Sequence, residues 1–237
     1  MTVIVLDAAQ VPFGAAPSCM CEDFLLSHGF FPAAGIDEAG RGALAGPVVA
    51  CAVMLPNYSA SLQADLYGVN DSKQLTARQR EKLAVCIKHI ALSYAVGVVN
   101  SDIIDTINIL EAAKLAMTQA VAALNPSPAA LIIDAVTLPS ATVPQVPLIK
   151  GDQRSLSVAC ASIIAKVTRD ALMNQLDESY PGYAFTRNKG YGVPRHMQAL
   201  QTIGVSPIHR KTFAPVRALL EPNQQLCFGL TEQHSDK

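Results

Sequence analysis

The chain has 237 residues, half of them hydrophobic and 16% charged, and its formal net charge at pH 7 is −1. A chain of this length and apolar content can bury a sizeable core, which excludes a largely disordered protein. The near-zero net charge excludes a uniformly basic nucleic-acid binder, although one basic face remains compatible with it.

The cysteines and the N-terminus predict where the protein works. None of the six cysteines stands in a CxxC pair or at a Cys/His zinc spacing, which is typical of a reducing compartment. Residues 1–40 contain no Lys or Arg, so the positively charged start of a secretory signal is missing. No apolar run is long enough to span a bilayer. We therefore expect a cytoplasmic protein without membrane association.

The first half of the chain predicts an extension followed by strands and a helix. Residues 1–32 carry three prolines and are assigned as an N-terminal extension of uncertain order, in which 1–6 could form a short strand. Residues 33–37 and 48–55 predict two strands joined by a Gly-Arg-Gly loop. Thr76 and Gln79 form a capping-box pattern that predicts a helix to residue 90, and 92–99 predicts a third strand.

The second half alternates helices and strands before it becomes rich in Gly and Pro. We expect a loop from Ser101, a helix over 107–124, and short strands over 130–134 and 146–150. Ser155 or Ser157 begins a periodic helix over 158–176. Short helices over 195–202 and 213–220 and a polar tail complete the chain. The pattern predicts a mixed sheet with helices on both faces and a helical C-terminal addition.

Four acids stand at the ends of predicted elements in apolar or Gly-rich surroundings: Asp37, Glu38, Asp134 and Asp152. If the strands that carry Asp37 and Asp134 are neighbours, their carboxylates meet at one edge of the sheet. Carboxylates packed there repel one another unless a divalent cation neutralises them, and oxygen ligands suit Mg²⁺ or Mn²⁺. Adjacent strand residues face opposite sides, so Asp37 and Glu38 should share a site only if the strand ends or bulges between them.

The loop after these acids has the composition of a phosphate-binding loop. Gly40 and Gly42 allow backbone N–H groups to approach a ligand, and Arg41 between them can grip a phosphate with its planar fork. With the acids, the loop indicates a metal-dependent phosphodiester site. The alternative is an Asp-Glu surface turn whose glycines serve only its geometry.

A one-signed basic segment lies near the C-terminus. Residues 179–220 contain no Asp or Glu. The basic side chains of the segment are Arg187, Lys189, Arg195, His196, His209, Arg210, Lys211 and Arg217. Such a segment is typical of a phosphate-backbone contact, or of an ordinary solvated face. The two histidines are general-acid candidates, although a surface or phosphate-contacting role is the simpler interpretation. Tyr191, between two glycines, can either stack on a sugar or base or fill a hydrophobic gap.

Several ordered motifs together resemble those of the type 2 ribonucleases H, the bacterial ribonuclease HII family. The motifs occupy residues 35–42, 71–75, 131–134, 150–152, 157–170, 189–192 and 209–213. The resemblance runs from about residue 35 to residue 220. It implies an α/β fold, a ribonuclease H-like mixed β-sheet flanked by helices, with a small helical C-terminal addition. It also implies a catalytic domain over 33–178 and a substrate-binding region and tail over 179–237.

The resemblance implies roles for particular residues. Asp37, Glu38, Asp134 and Asp152 would be the catalytic acids that bind Mn²⁺ or Mg²⁺. Gly40, Arg41 and Gly42 would contact the ribonucleotide 2′-OH and adjacent phosphates largely through backbone atoms. Ser72 and Lys73 would also contact substrate, and Tyr191 would stack on the next deoxyribose and help select an RNA-to-DNA junction.

The activity that the resemblance implies is metal-dependent hydrolysis of the RNA strand of RNA–DNA hybrids. We expect the enzyme to be a monomer. It further implies incision 5′ to a ribonucleotide embedded in duplex DNA, leaving 3′-OH and 5′-phosphate ends. Two other hypotheses stay open: a nuclease of the same fold that cuts DNA strands or junctions, and a non-catalytic nucleic-acid-binding module. The presence of a 2′-OH-reading loop disfavours the first, and the presence of all four acids disfavours the second.

The sequence departs from the family pattern at two positions. Ala135 follows Asp134 where a glycine is expected, and Val193 replaces a more usual threonine, so a threonine contact is missing. The N-terminal extension is too short for the extra domain of the ribonuclease HIII group. That group also lacks the Arg of the Gly-Arg-Gly loop, which favours HII over HIII.

Overall fold

The computed structural model describes residues 7–9, 16–57, 60–70 and 72–221. The predicted strand over residues 1–6, the polar tail and Asp71 of the 71–75 motif lie outside the described residues.

A five-stranded mixed sheet forms the centre of the fold. Its strands are β1 (Ala33–Ala39), β2 (Val48–Met54), β3 (Ser93–Val99), β4 (Ala130–Asp134) and β5 (Gln145–Leu148). Their order across the sheet is β3-β2-β1-β4-β5. β2 pairs antiparallel with both β1 and β3, whereas β4 pairs parallel with both β1 and β5. The mixed sheet predicted from the order of elements is confirmed.

Nine α-helices and a 3-10 turn accompany the sheet in the described part of the chain. They are α1 (Met20–Ser27), α2 (Ala60–Asp65), α3 (Ala77–Ile90), α4 (Ser101–Ile107), α5 (Ile109–Ala122), the 3-10 turn (Gly151–Gln153), α6 (Leu156–Ser179), α7 (Phe185–Asn188), α8 (Pro194–Ile203) and α9 (Ala214–Leu220). No helix among the described residues is both long and apolar enough to cross a bilayer.

Two apolar layers cover the two faces of the sheet. Strand residues alternate between faces, so Ala50 and Ala52 of β2 pack with the residues of α5, while Cys51 and Val53 pack with those of α3 and α6. Every residue of β2 is buried, which is expected of a strand covered on both sides.

Gly35 lets α6 lie directly on β1. A Cβ atom at Gly35 would stand 2.3 Å from the backbone carbon and Oγ of Ser157. Only glycine permits this approach, which packs the first turn of α6 against β1.

Most sequence-based element predictions are confirmed, including the capping box at Thr76 and the start of α6 with Ser155 as its N-cap. The loop predicted from Ser101 is wrong, because α4 begins there and runs to Ile107. Asn108, at φ 68°, separates α4 from α5, and its side-chain oxygen accepts the backbone N–H groups of Leu110 and Glu111. Asn108 is therefore the N-cap of α5, which the sequence analysis did not identify.

Part of the segment assigned to the N-terminal extension packs on the sheet and on α6. The Glu22 carboxylate of α1 accepts hydrogen bonds from Ser155 Oγ (2.7 Å), Ser157 Oγ (2.6 Å) and Ser157 N (2.9 Å). Helix α1 thus ties residues before the sheet to the beginning of α6.

Candidate active site

A cleft of about 310 Å³ opens at the C-terminal ends of β1 and β4. It is lined by Asp37, Glu38, Ala39, Gly40, Arg41, Gly42, Ser72, Lys73, Asp134, Ser162, Lys166 and Tyr191. Every site residue predicted from the sequence therefore lines one cleft, with the exception of Asp152. The volume lies within the range of small-ligand pockets.

The strand register brings two of the acids together. β1 and β4 pair in parallel up to Ile36 opposite Ile133, so the next residues, Asp37 and Asp134, stand side by side. The strand neither ends nor bulges between Asp37 and Glu38, because β1 stays regularly paired with β2 as far as Ala39, so the condition stated for their sharing a site is wrong. Both acids still reach the cleft, since the parallel pairing with β4 ends one residue before them and leaves this end of β1 open.

Burial and like charges disfavour the ionised form of these acids. Asp37 is only 6% exposed, and burial, followed by the charges of Glu38 and Asp134, raises its pKa well above 3.8. A hydrogen bond from Ser162 opposes this shift. Burial also raises the pKa of Glu38, while the nearby Arg41 guanidinium opposes it. The fold has therefore placed negative charge where it is costly without a cation.

Each carboxylate also has a protein partner. Asp37 Oδ1 accepts the backbone N–H of Glu38 at 2.7 Å, and Glu38 Oε1 accepts from Arg41 at 3.1 Å. Asp134 Oδ1 accepts the backbone N–H of Gly151 at 2.7 Å. Among the described residues, no group of three or more His, Cys, Asp or Glu side chains is arranged to hold a metal ion. The all-oxygen donor set and its mutual repulsion nevertheless fit a hard divalent cation.

Asp152 lies beside the cleft rather than in its wall. It belongs to the 3-10 turn before α6 and is 6% exposed. Its neighbour Gly151 contacts Asp134 through the hydrogen bond just described. Asp152 thus directly follows, in the chain, a residue that is hydrogen-bonded to the acid cluster.

Two fully buried arginines, Arg169 and Arg210, lie beneath the Gly-Arg-Gly loop. Arg210 donates to the carbonyl of Arg41 at 2.9 Å and twice to that of Gly46. Because a trans peptide directs C=O and N–H to opposite sides, the N–H of exposed Gly42 points away from Arg210. Gly40 has a φ of +98°, and a Cβ there would stand 2.0 Å from Arg169 Nε.

Ser162 was missed by the sequence reasoning. It sits in the apolar run of α6, lines the cleft, and its hydroxyl bonds that of Ser72 at 2.9 Å. The segment that carries Ser72 and Lys73 is fixed by Arg80, which donates to the carbonyls of Ser72 (2.8 Å) and Leu75 (2.6 Å). A serine inside the otherwise apolar run over residues 158–165 was the available signal.

Tyr191 faces cations from α6. Its ring centroid lies 5.4 Å from the Arg169 guanidinium carbon and 5.9 Å from Lys166 Nζ. Its ring is partly exposed and lines the cleft. Tyr191 therefore does not fill a buried hydrophobic gap, which was the alternative considered from the sequence.

Only some of the side chains of the basic segment are exposed to solvent. Arg187, Arg195, Lys211 and Arg217 are exposed, whereas Arg210, His196 and His209 are completely buried. The surface or phosphate-contacting role considered for the two histidines is therefore wrong. They pack with Tyr183 and Phe185, and their Nε2 atoms lie 3.0 Å apart.

Comparison with known sequences decides the family. The sequence profile described as Ribonuclease HII matches residues 34–216. The chain belongs to the ribonuclease HII family. It is 52% identical over 200 residues to the ribonuclease HII of Desulfitobacterium hafniense strain Y51, covering 84% of this chain and 75% of that protein. The Geobacillus thermodenitrificans ribonuclease HII is 54% identical over 196 residues, covering 83% and 73% respectively. The chain is an endoribonuclease, and the preference for HII over HIII is confirmed.

Solved structures agree with this assignment. The ribonuclease H2 of Pyrococcus horikoshii OT3 is 31% identical, with a TM-score of 0.68 over 81% of this chain and 98% of that one. A Bst-RNase HIII crystallised in complex with Mn²⁺ has a TM-score of 0.61 and covers 93% of this chain and 73% of that one. At 23% identity, this second likeness concerns the fold alone. The predicted ribonuclease H-like fold is confirmed.

Proposed function

We propose that this protein hydrolyses the RNA strand of RNA–DNA hybrids and incises duplex DNA 5′ to an embedded ribonucleotide, leaving 3′-OH and 5′-phosphate ends. The observation that carries the proposal is the composition of the cleft. It combines acids at the ends of two paired strands with a glycine loop, cationic side chains and an aromatic ring. An enzyme that cut only DNA would not need a loop suited to contacting a 2′-OH.

Asp37, Glu38, Asp134 and Asp152 would hold Mn²⁺ or Mg²⁺. When bound, divalent cations activate a water and stabilise the leaving oxygen of an in-line displacement. The chain's own contribution is to keep these carboxylates together against their repulsion. The β1–β4 register supplies that restraint for Asp37 and Asp134, and the hydrogen bond from Gly151 fixes the orientation of Asp134.

The substrate would be held around these acids by three segments. The N–H of Gly42 points away from its buried anchor, in the direction from which a 2′-OH or phosphate would approach. Lys73 and Lys166, which also line the cleft, would neutralise phosphate charge. Tyr191 would stack on the deoxyribose that follows the ribonucleotide, and region 179–221 would carry this part of the substrate contact.

The first experiment is incision of a DNA duplex that carries one ribonucleotide, in Mg²⁺, Mn²⁺ or EDTA, beside an all-DNA duplex. We expect metal-dependent cutting 5′ to the ribonucleotide and an intact control. Extension of one product by a polymerase and ligation of the other would establish the 3′-OH and 5′-phosphate ends. Equal cutting of the all-DNA duplex would contradict the proposal, and salt-sensitive binding without cutting would favour a binding module.

Asp134→Asn tests the acid cluster. The amide oxygen still accepts the Gly151 N–H, so the fold is retained while the negative charge is lost. Cutting should fall by at least about a hundredfold, or ~3 kcal/mol of transition-state stabilisation, with hybrid binding preserved. Asp102→Asn, at an exposed aspartate on α4, is the matched control and should cut normally. Normal cutting by Asp134→Asn would show that the metal-site assignment is wrong.

A further inference from the structure

Two buried histidines lie behind the backbone of Tyr191, and the proposed chemistry uses neither. His196, on α8, and His209 are both 0% exposed, and their Nε2 atoms are 3.0 Å apart. We infer that His196 and His209 form a one-directional hydrogen-bond relay that positions Tyr191 for recognition of the RNA-to-DNA junction. The inference rests on the proposed role of Tyr191 in that recognition.

The two ends of the relay fix its direction independently. At one end the backbone N–H of Ser206 donates to His209 Nδ1 at 3.0 Å, and the Ser206 hydroxyl, 2.7 Å from the same nitrogen, can also donate to it, so in the neutral ring Nδ1 carries no proton and Nε2 does. At the other end the carbonyl of Tyr191 lies 2.9 Å from His196 Nδ1. A carbonyl can only accept, so His196 carries its proton on Nδ1 and leaves its Nε2 as the acceptor. The His209 Nε2–H then donates to His196 Nε2, and with the Ser206 hydroxyl as a second donor to His209 Nδ1 one assignment accounts for all four contacts.

The relay requires both imidazoles to be neutral. A proton added to His209 Nδ1 would face the backbone N–H of Ser206 even if the Ser206 hydroxyl turned to accept it, and a proton added to His196 Nε2 would face the Nε2–H of His209. Burial lowers the pKa of both histidines, and burial together with the neighbouring His196 lowers that of His209 to about 4. The aromatic rings of Tyr183 and Phe185 pack around the pair and exclude water from it.

The relay ends on the peptide that sets the direction of the Tyr191 side chain. The Tyr191 carbonyl accepts from both His196 Nδ1 and the backbone N–H of Val193, the latter at 2.8 Å. The Arg169 guanidinium carbon and Lys166 Nζ lie 5.4 Å and 5.9 Å from the centroid of the Tyr191 ring. Tyr191 is thus restrained at its carbonyl by His196 and at its ring by two cations of α6, which makes His196 and His209 positioning residues for it.

Nuclear magnetic resonance tests the relay on the unaltered protein. Long-range ¹H–¹⁵N spectra distinguish the two imidazole tautomers, and single substitutions assign the five histidines. At pH 7 we expect His209 as the Nε2–H form and His196 as the less common Nδ1–H form. Two Nε2–H rings, or a charged ring at either position, would overturn the inference whether or not the enzyme cuts.

Substitutions test the consequence for specificity. His196→Phe keeps the ring volume but removes the donor, whereas His196→Asn retains an N–H near the position of Nδ1. For His196→Phe we expect the ratio of kcat/KM on a single-ribonucleotide duplex to kcat/KM on a long hybrid to fall about tenfold. His196→Asn should recover most of this ratio, and His89→Phe, at an exposed histidine, should not change it.

The outcomes separate the inference from the function it rests on. If Tyr191→Ala lowers the ratio and His196→Phe reduces both activities equally, the positioning role is wrong and the proposed function stands. If Tyr191→Ala leaves the ratio unchanged, the proposed junction role of Tyr191 is wrong, and the positioning role of the two histidines is wrong with it. Should His196→Phe not fold, the tautomer measurement and His196→Asn still decide between the relay and a purely structural pair.

Discussion

Gly40 and Gly42 flank the same arginine, but the structure predicts different consequences for adding a methyl group to each. Gly40→Ala would place Cβ 2.0 Å from Arg169 Nε, on a backbone with φ +98°. Gly42 has no positive φ, and no atom lies within 4 Å of its Cβ position. The first substitution therefore perturbs the fold, and the second perturbs only what approaches the loop from outside.

The cost at Gly40 follows from what Arg169 holds. Its guanidinium donates to the carbonyls of Pro47 (2.9 Å), Lys189 (2.9 Å) and Ala45 (3.2 Å). Backbone strain at a left-handed alanine costs about 1–2 kcal/mol. Displacement of Arg169 from one carbonyl adds about 1.5–3 kcal/mol, since the bond involves a charged group. We expect the free energy of unfolding to fall by about 4 kcal/mol, or the melting temperature by about 10 °C.

Urea denaturation and cleavage of a single-ribonucleotide duplex, measured on both variants, test this reasoning. Gly40→Ala should lose stability and, below its melting temperature, also activity, because Arg169 supports the Tyr191 segment. Gly42→Ala should keep the wild-type stability and show a raised KM, because its new methyl group stands where the substrate would meet the loop. Wild-type stability in Gly40→Ala would refute the close contact with Arg169. Wild-type KM in Gly42→Ala would refute the proposed backbone contact.

Two further predictions concern backbone strain and buried charge. Ala135, where the family pattern has glycine, adopts φ 55°, so Ala135→Gly should raise the free energy of unfolding in urea by about 0.5–1 kcal/mol; a decrease would contradict this. His209 has its pKa lowered from 6.5 to about 4, so on acidification the unfolded chain takes up the proton first. Stability should fall from pH 6.5 towards pH 4, by about 2 kcal/mol at pH 5, and His209→Gln should lack this component; equal pH profiles would refute it.

The sequence predicted the strands and the long helices because their signals are local. The capping box at Thr76 and the apolar runs of β2 and β4 need no knowledge of the rest of the chain. The neighbouring positions of Asp37 and Asp134 were conditional on strand pairing, which no local pattern specifies. The parallel register of β1 and β4 supplied that condition.

Burial of the basic segment could not be read from the sequence. A run without acids looks the same whether its cations face solvent or fold inward. Arg210 turns inward because the bridge between Ala45 and His209 places it under the Gly-Arg-Gly loop, where backbone carbonyls replace water. His196 and His209 become visible as a pair only when α8 is folded against the segment that follows it.

The near-zero net charge conceals opposite charges concentrated at one place. Three acids line the cleft together with three cations: Asp37, Glu38, Asp134, Arg41, Lys73 and Lys166. Cations at its walls lower the cost of holding carboxylates together, and the same cations suit a phosphate backbone. Two more guanidiniums, those of Arg169 and Arg210, are buried beneath the loop and donate to backbone carbonyls. Lys166 is paired with Asp170 at 2.6 Å and Arg41 with Glu38 at 3.1 Å, so the cations that a phosphodiester chain would meet in the cleft are positioned by acids that also offset their charge.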